Sequence, residues 1–395
     1  MRLQQLFGPS TLIAAAFIGP GTVTTCTLAG VQTSYRLLWV MLAAILATVV
    51  LQEMAARLGW VTQRGLGEAI DRQFPAGGAR YLVFFLVIGA ILVGNAAYEA
   101  GNVAGGVLGL DLLLGEWSWW PLVVGTGCGL LLYFGGYRWV ERLLVGLVLL
   151  MSLCFVATVV LIQPDWSAVA HGFLPHDVQS GDFLLILALI GTTIVPYNLF
   201  LHASTISKKW SREAPLAELR AENAVAILLG GVISILIIIT AAGSGKTVEQ
   251  VNNAKDLAIQ LQPLFGASAK WMMGLGLLAA GVSSALTAPL AAAYAAKGLF
   301  GWPSEQDSRF RAVWLGILLS GITVAMLGVK PILIIKFAQI TNALLLPFIA
   351  GYLLYMANSK SVMGEQRNGP VTNVLGGLVV LVTLGLLGKT LVGLW

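Results

Sequence analysis

Two stretches of this chain place polar chemistry where apolar residues should be. In FIGPGTVTTCTLAG, residues 17–30, Gly19, Pro20 and Gly21 interrupt an apolar run, and Thr22, Thr24, Thr25 and Thr27 follow. In GTTIVPYNLFLHAS, residues 191–204, the interruption carries Thr192, Thr193, Val195, Pro196, Tyr197 and Asn198. Proline has no N–H and its ring crowds the preceding turn. Glycine tolerates backbone angles that other residues avoid. Both stretches therefore unwind a helix. In lipid, freed N–H and C=O groups need partners, so unwound backbone belongs in the protein interior, facing water or a ligand. The half-helix that ends at a break presents free carbonyls, and the one that begins there presents free amides and a positive dipole end.

Few other residues are suited to chemistry. Glu99, in GNAAYEAGN, is an acid inside an apolar run; such a group either couples an ion or is held by a structural partner. His202, one to two turns past the second break, is of the one residue type suited to relaying protons near neutral pH; a proton relay and a satisfied interior histidine are both open. Glu53 stands four residues before Arg57, the spacing of a helix ion pair. His171, His176, Asp165 and Asp177 share a loop, but their spacing matches no common zinc site. GSGKT at 243–247 lacks the full phosphate-loop pattern. Cys26, Cys128 and Cys154 show neither metal-ligand nor disulfide spacing. No nucleophile–base set appears, so an enzyme is not expected, and the residues alone indicate no metal site and no cofactor.

The elements that must position these residues are membrane spans. Of 395 residues, 57% are hydrophobic and 10% charged, against about 25% charged in a soluble domain. The chain must bury its apolar surface in lipid. Eleven apolar runs are long enough to cross a bilayer, centred near Pro20, Ile45, Ile88, Gly127, Leu149, Ile194, Ile233, Leu278, Ile317, Leu345 and Val382. They give one transmembrane domain over 1–395, with spans 1–5 at about 8–162, spans 6–10 at about 182–357 and span 11 at about 371–394. The start, MRLQQLFGPSTLIAAAF, lacks a convincing cleavage site and is taken as the beginning of the first span.

With the N-terminus in the cytoplasm, 16 Lys and Arg fall inside and 5 outside, Lys336 and Lys389 being unassigned. The positive-inside rule favours this orientation, in the plasma (inner) membrane. It also explains the net charge of +5 without nucleic acid. Trp117, Trp119 and Trp120 at a span end fit an interfacial anchor. The two breaks lie in spans 1 and 6. Five spans separate them, an odd number, so spans 1–5 and 6–10 have opposite topology. Interrupted helices at matching places in two halves point to a transporter site near the midplane.

Over nearly its whole length the chain resembles the Nramp family of proton-coupled divalent-metal transporters. GPS at 8–10, LQEMAARLGWVTQRGLGEAI at 51–70, NLFLHAS at 198–204 and AQITNALLLPF at 338–348 carry the likeness. The resemblance implies an all-α membrane protein with the LeuT-like fold: a 5+5 inverted repeat, eleven transmembrane helices, and helices 1 and 6 unwound at the midplane. The family's span 1 has Asp-Pro-Gly-Asn, whose Asp and Asn bind metal; Gly19 and Thr22 stand at those positions. In span 6 the family has Ala-x-x-Met-Pro-His-Asn; Thr192, Val195 and Tyr197 replace the Ala, Met and His, while Pro196 and Asn198 are kept. The family's span-3 Asp is Ala96. Its Glu, second span-6 His and span-10 Gln are kept as Glu99, His202 and Gln339.

These departures remove every fixed negative charge and the soft sulfur from the implied metal site. A divalent ion needs strong donors to offset lost hydration. The expectation is therefore a secondary active transporter, working by alternating access, for a small polar or organic solute, amino-acid-like or a carboxylate. Gly19, Pro20, Gly21, Thr22, Thr24, Thr192, Thr193, Val195, Tyr197, Asn198 and Gln339 would bind it, and Glu99 and His202 are the candidates for coupling to H+ or Na+. The alternative is a divalent cation, Mn or Mg, in a remodelled and partly hydrated site. A sensor or structural membrane protein that has lost transport is a third reading. The expected partners are the small-molecule or ion substrate and the lipid bilayer, and the expected state is a monomer.

Overall fold

The computed structural model describes residues 18–73, 78–135, 138–175, 178–244, 251 and 253–393, and every regular element among them is helical. The helices are α1 (Pro20–Thr33), α2 (Leu38–Thr62), α3 (Leu66–Gln73), α4 (Gly78–Leu114), α5 (Trp120–Phe134), α6 (Arg138–Ile162), α7 (Trp166–Gly172), α8 (Phe183–Thr193), α9 (Pro196–Lys209) and α10 (Leu216–Ser244). Then come α11 (Ala254–Ile259), α12 (Gln262–Phe265), α13 (Ala269–Phe300), α14 (Ser308–Ala325), α15 (Pro331–Asn358), α16 (Lys360–Met363) and α17 (Pro370–Gly393). Among the described residues nine stretches are long and apolar enough to cross a membrane, α8 with α9 counting as one and α12 with α13 as another. The fifteen-residue α5 and the buried half-span α1 complete the eleven. The GPS stretch, the run before the first break, His176, Asp177 and most of GSGKT lie outside the described residues.

Packing follows the inverted repeat. Helix α1 packs on α10, and its counterpart α9 packs on α2. Helix α15 packs on α4, and its counterpart α6 packs on α13. The counterparts α4 and α13 pack on each other, as do α2 and α10. This is the LeuT-like arrangement, with α17 added outside the repeat.

Both breaks form as local chemistry dictates. Gly19 is extended (φ −82°, ψ 174°) and Pro20 opens α1. Helix α8 closes with the Ile194 N–H donating to the Ile190 carbonyl at 2.8 Å. Val195 is extended (φ −90°, ψ 117°) and Pro196 opens α9. Proline suits the first helical position because its missing N–H would be unpaired there anyway.

The ends of the spans are tied by polar contacts. Arg36, after α1, pairs with Asp182, before α8, at 2.8 Å. Asp165 caps α7 by accepting from Ser167 N and Ala168 N at 2.9 and 3.2 Å, and His171 is part of that helix. Trp117 and Trp120 meet edge to face at 4.8 Å. At the far end of α2, Arg57 pairs with Glu53 at 2.9 Å, as their spacing indicates, and Arg220 of α10 reaches the same carboxylate at 2.8 Å. Arg57 is buried and also donates to the Gln366 carbonyl and to Asn368 Oδ1, between α16 and α17. Removing Glu53 leaves a buried guanidinium without its counter-charge, a change that costs about 3 kcal/mol. Glu53→Ala is therefore expected to lower the thermal midpoint sharply. Adding Arg57→Met should recover most of the loss, and a double-mutant cycle on the purified protein checks this.

Candidate functional site

The two breaks meet in the interior. Thr22 Oγ1 of α1 lies 3.1 Å from Thr192 Oγ1 near the end of α8. Gln339 of α15 closes the third side: a Cβ built on Gly21 would sit 2.3 Å from Gln339 Nε2, and one built on Gly191 would sit 1.7 Å from the Gln339 carbonyl oxygen. Pro20 rests on α4, where a Cβ on Gly105 would sit 2.1 Å from Pro20 Cβ. Only glycine at these three positions leaves room for the contacts. Spans 1, 3, 6 and 10 thus converge on one point, with Thr22, Thr192 and Gln339 all buried there.

Several buried polar atoms on the breaks have no protein partner. Thr27, Thr48 and Thr193 each donate to the carbonyl four residues back, at 2.7 Å. Thr24 Oγ1 and Thr25 Oγ1 do not, and they, both amide atoms of Asn198 and Gln339 Oε1 are unpaired. Native interiors leave few such groups, and each costs about 1–3 kcal/mol. Those on the two breaks and on Gln339 of α15 leave polar atoms there that a polar occupant could meet. The last carbonyls of α8 add a negative dipole end there, and the amides of α1 and α9 add positive ones.

The remaining site residues of the sequence reading are placed elsewhere. The Thr193 hydroxyl faces α2, 3.5 Å from Met41 Sδ, and not Thr22. Val195 and Tyr197 belong to a small apolar cluster with Tyr98 of α4 and Ala288 and Ala291 of α13. The two tyrosine rings meet edge to face, 5.2 Å apart. Glu99 is fully buried; Asn102 Nδ2 donates to its Oε2 at 3.2 Å, and its Oε1 is unpaired. His202 Nδ1 lies 2.7 Å from Gln52 Oε1 of α2, and its Nε2 is unpaired.

Sequence reasoning missed Gln52, Asn95, Asn102, Asn342 and Gln260. The first four are buried amides inside apolar spans. That alone was a signal, since polar groups at membrane depth are rarely idle. Gln260, between α11 and α12, donates to Thr27 Oγ1 at 2.7 Å and accepts from Thr240 Oγ1 at 3.3 Å. This gives Thr27 a structural role. Among the described residues no three His, Cys, Asp or Glu side chains are grouped to hold a metal. A cation at the crossing would meet neutral oxygens.

The family model described as Natural resistance-associated macrophage protein-like, Nramp, matches residues 10–393. The chain is 29% identical to the Divalent metal cation transporter MntH of Deinococcus radiodurans, covering 99% of this chain and 90% of the relative. It is 30% identical to that of Agrobacterium fabrum, covering 99% and 87%. The fold is similar to that of the Eremococcus coleocola manganese transporter, at 24% identity and TM-score 0.76 over 96% of this chain and 84% of that one. It is also similar, at 15% identity and TM-score 0.59 over 96% and 98%, to that of MhsT in complex with L-phenylalanine.

The relatives overturn one expectation. An amino-acid-like or carboxylate substrate was inferred from the missing Asp, Asn and Met, but end-to-end relatives are named for divalent metal cations. The physical error was to count side-chain charge alone. Unpaired hydroxyl and amide oxygens, together with a helix carbonyl end, are donors that a hard cation accepts when it keeps part of its water.

Proposed function

The chain belongs to the Nramp family, and from that premise we propose that it carries a divalent metal cation across the membrane by alternating access. It is a multi-pass membrane transporter, not an enzyme. The single observation that supports a cation is the set of unpaired buried oxygens of Asn198, on the second break, and Gln339, on α15 against the first. Together with Thr22, the Thr192 carbonyl and the backbone at Gly19 and Gly21, they offer the ion hard, neutral donors. Val195 in place of a thioether removes any preference for softer metals. Mg2+ and Mn2+, carried with some of their water, suit such a site best.

Glu99 and His202 are the coupling groups of this reading, through H+ or Na+. Each offers an unpaired buried atom on a span that takes part in the crossing. The working orientation has the N-terminus in the cytoplasm and the transporter in the plasma (inner) membrane.

Uptake into proteoliposomes tests this. Wild-type protein is expected to take up Mn2+ or Mg2+. Thr22→Val, which keeps shape and removes one hydroxyl, is expected to lower uptake about tenfold, the usual effect of losing one supporting group at a metal site. Unchanged divalent uptake in Thr22→Val would remove the crossing from the path.

A further inference from the structure

A cavity of about 370 Å³ opens toward lipid between α2, α8 and α17, away from the crossing of the breaks. Its walls are apolar, with Ala43 on α2, Ile194 at the end of α8 and Val382 on α17. Besides Thr383, whose hydroxyl donates to the Val379 carbonyl of its own helix, two polar groups interrupt them. The Lys389 ammonium stands 4.6 Å from the Phe183 ring centroid, and no carboxylate among the described residues pairs with it. The nearest acid in sequence to Phe183 is Asp182, which Arg36 already holds at 2.8 Å. The other group is the Trp39 indole N–H, which is buried without an acceptor.

The dimensions fit one leaflet. The groove follows α8 from Phe183 to Ile194, eleven steps, or about 16 Å at helical rise. That is about half of a 30 Å hydrocarbon core. The cationic end lies where the spans end, and the apolar end lies beside the break in span 6. A lone cation at headgroup depth, an indole donor at the shoulder and an apolar slot below match a phospholipid with a negative head.

We propose that this groove binds an anionic membrane phospholipid: one acyl chain fills the slot, the phosphate meets Lys389, and an ester oxygen accepts from the Trp39 N–H. The chain end then abuts Ile194, where α8 gives way to extended backbone. The lipid braces α8, the first half of span 6, against α17, the helix outside the repeat. This site is independent of the transported substrate.

The test is lipid retention by the full-length protein, purified from membranes holding equal phosphatidylglycerol and phosphatidylcholine and read by native mass spectrometry. Wild type is expected to retain phosphatidylglycerol in preference. Lys389→Gln is expected to reduce that retention about fivefold, the worth of one lysine near an anionic headgroup, leaving phosphatidylcholine unchanged. Ala43→Trp, which fills the slot, is expected to remove both. Both positions are exposed to lipid, so both variants should keep the wild-type elution profile. Equal retention of the two lipids by wild type, or no change in Lys389→Gln, would overturn the site.

Discussion

Asn198→Leu is expected to abolish divalent uptake and to raise the thermal midpoint of the protein. Asn198 is buried in the first turn of α9, and neither end of its amide has a protein partner. Leucine has nearly the same shape and no polar atoms. Replacing unpaired buried groups by an apolar isostere is neutral or stabilising, because each such group costs about 1–3 kcal/mol while it stays unpaired. In the proposed site the same change deletes one donor oxygen, and loss of a donor or its support costs about 10–100-fold in affinity or activity at metal sites. Stability and function should therefore move in opposite directions. Differential scanning fluorimetry and liposome uptake on one preparation read both. A variant that is less stable and still transports would show that Asn198 is a structural residue with partners of its own.

Gly191→Ala is expected to do the reverse and destroy the fold. Its Cβ would lie 1.7 Å from the Gln339 carbonyl oxygen and 3.0 Å from Ala343 N, both backbone atoms of α15. No rotamer change relieves a clash with backbone, so α8 and α15 must separate. Overpacking of this kind costs about 3 kcal/mol and more when the neighbour cannot yield, and here it opens the crossing that holds Thr192 and Gln339. Gly127→Ala in α5 is the control, since nothing lies within 4 Å of its Cβ and alanine gains up to about 1 kcal/mol of helix propensity. The yield of monodisperse protein should collapse for the first variant and hold for the second. Equal yields would mean that the two helices do not cross this closely.

What the sequence made legible is what local chemistry decides. The breaks at Pro20 and Pro196 could be read because proline and glycine act on their own turn, wherever the rest of the chain goes. The eleven spans could be read because length and apolarity are enough in lipid, and the Glu53–Arg57 pair because four residues make one helical turn. The pairing of His202 with Gln52 could not, since it joins side chains 150 residues apart. The directions of Thr193, Val195 and Tyr197 were also hidden. Two non-helical residues, Ile194 and the extended Val195, set the rotation of α9 relative to α8. That rotation turns Tyr197 toward α4 and α13 and leaves Thr192 facing Thr22. The substrate was misread for a related reason. Residue types report charge, whereas unpaired oxygens and helix carbonyl ends appear only once the backbone is in place.

Isothermal titration of purified protein with Mn2+ and Mg2+, alongside Asn198→Leu, measures the central claim most directly. Saturable binding of one equivalent, absent in a folded and stabilised Asn198→Leu, is the predicted result. Equal divalent binding by both proteins, or none by wild type, would contradict a cation held by the two breaks.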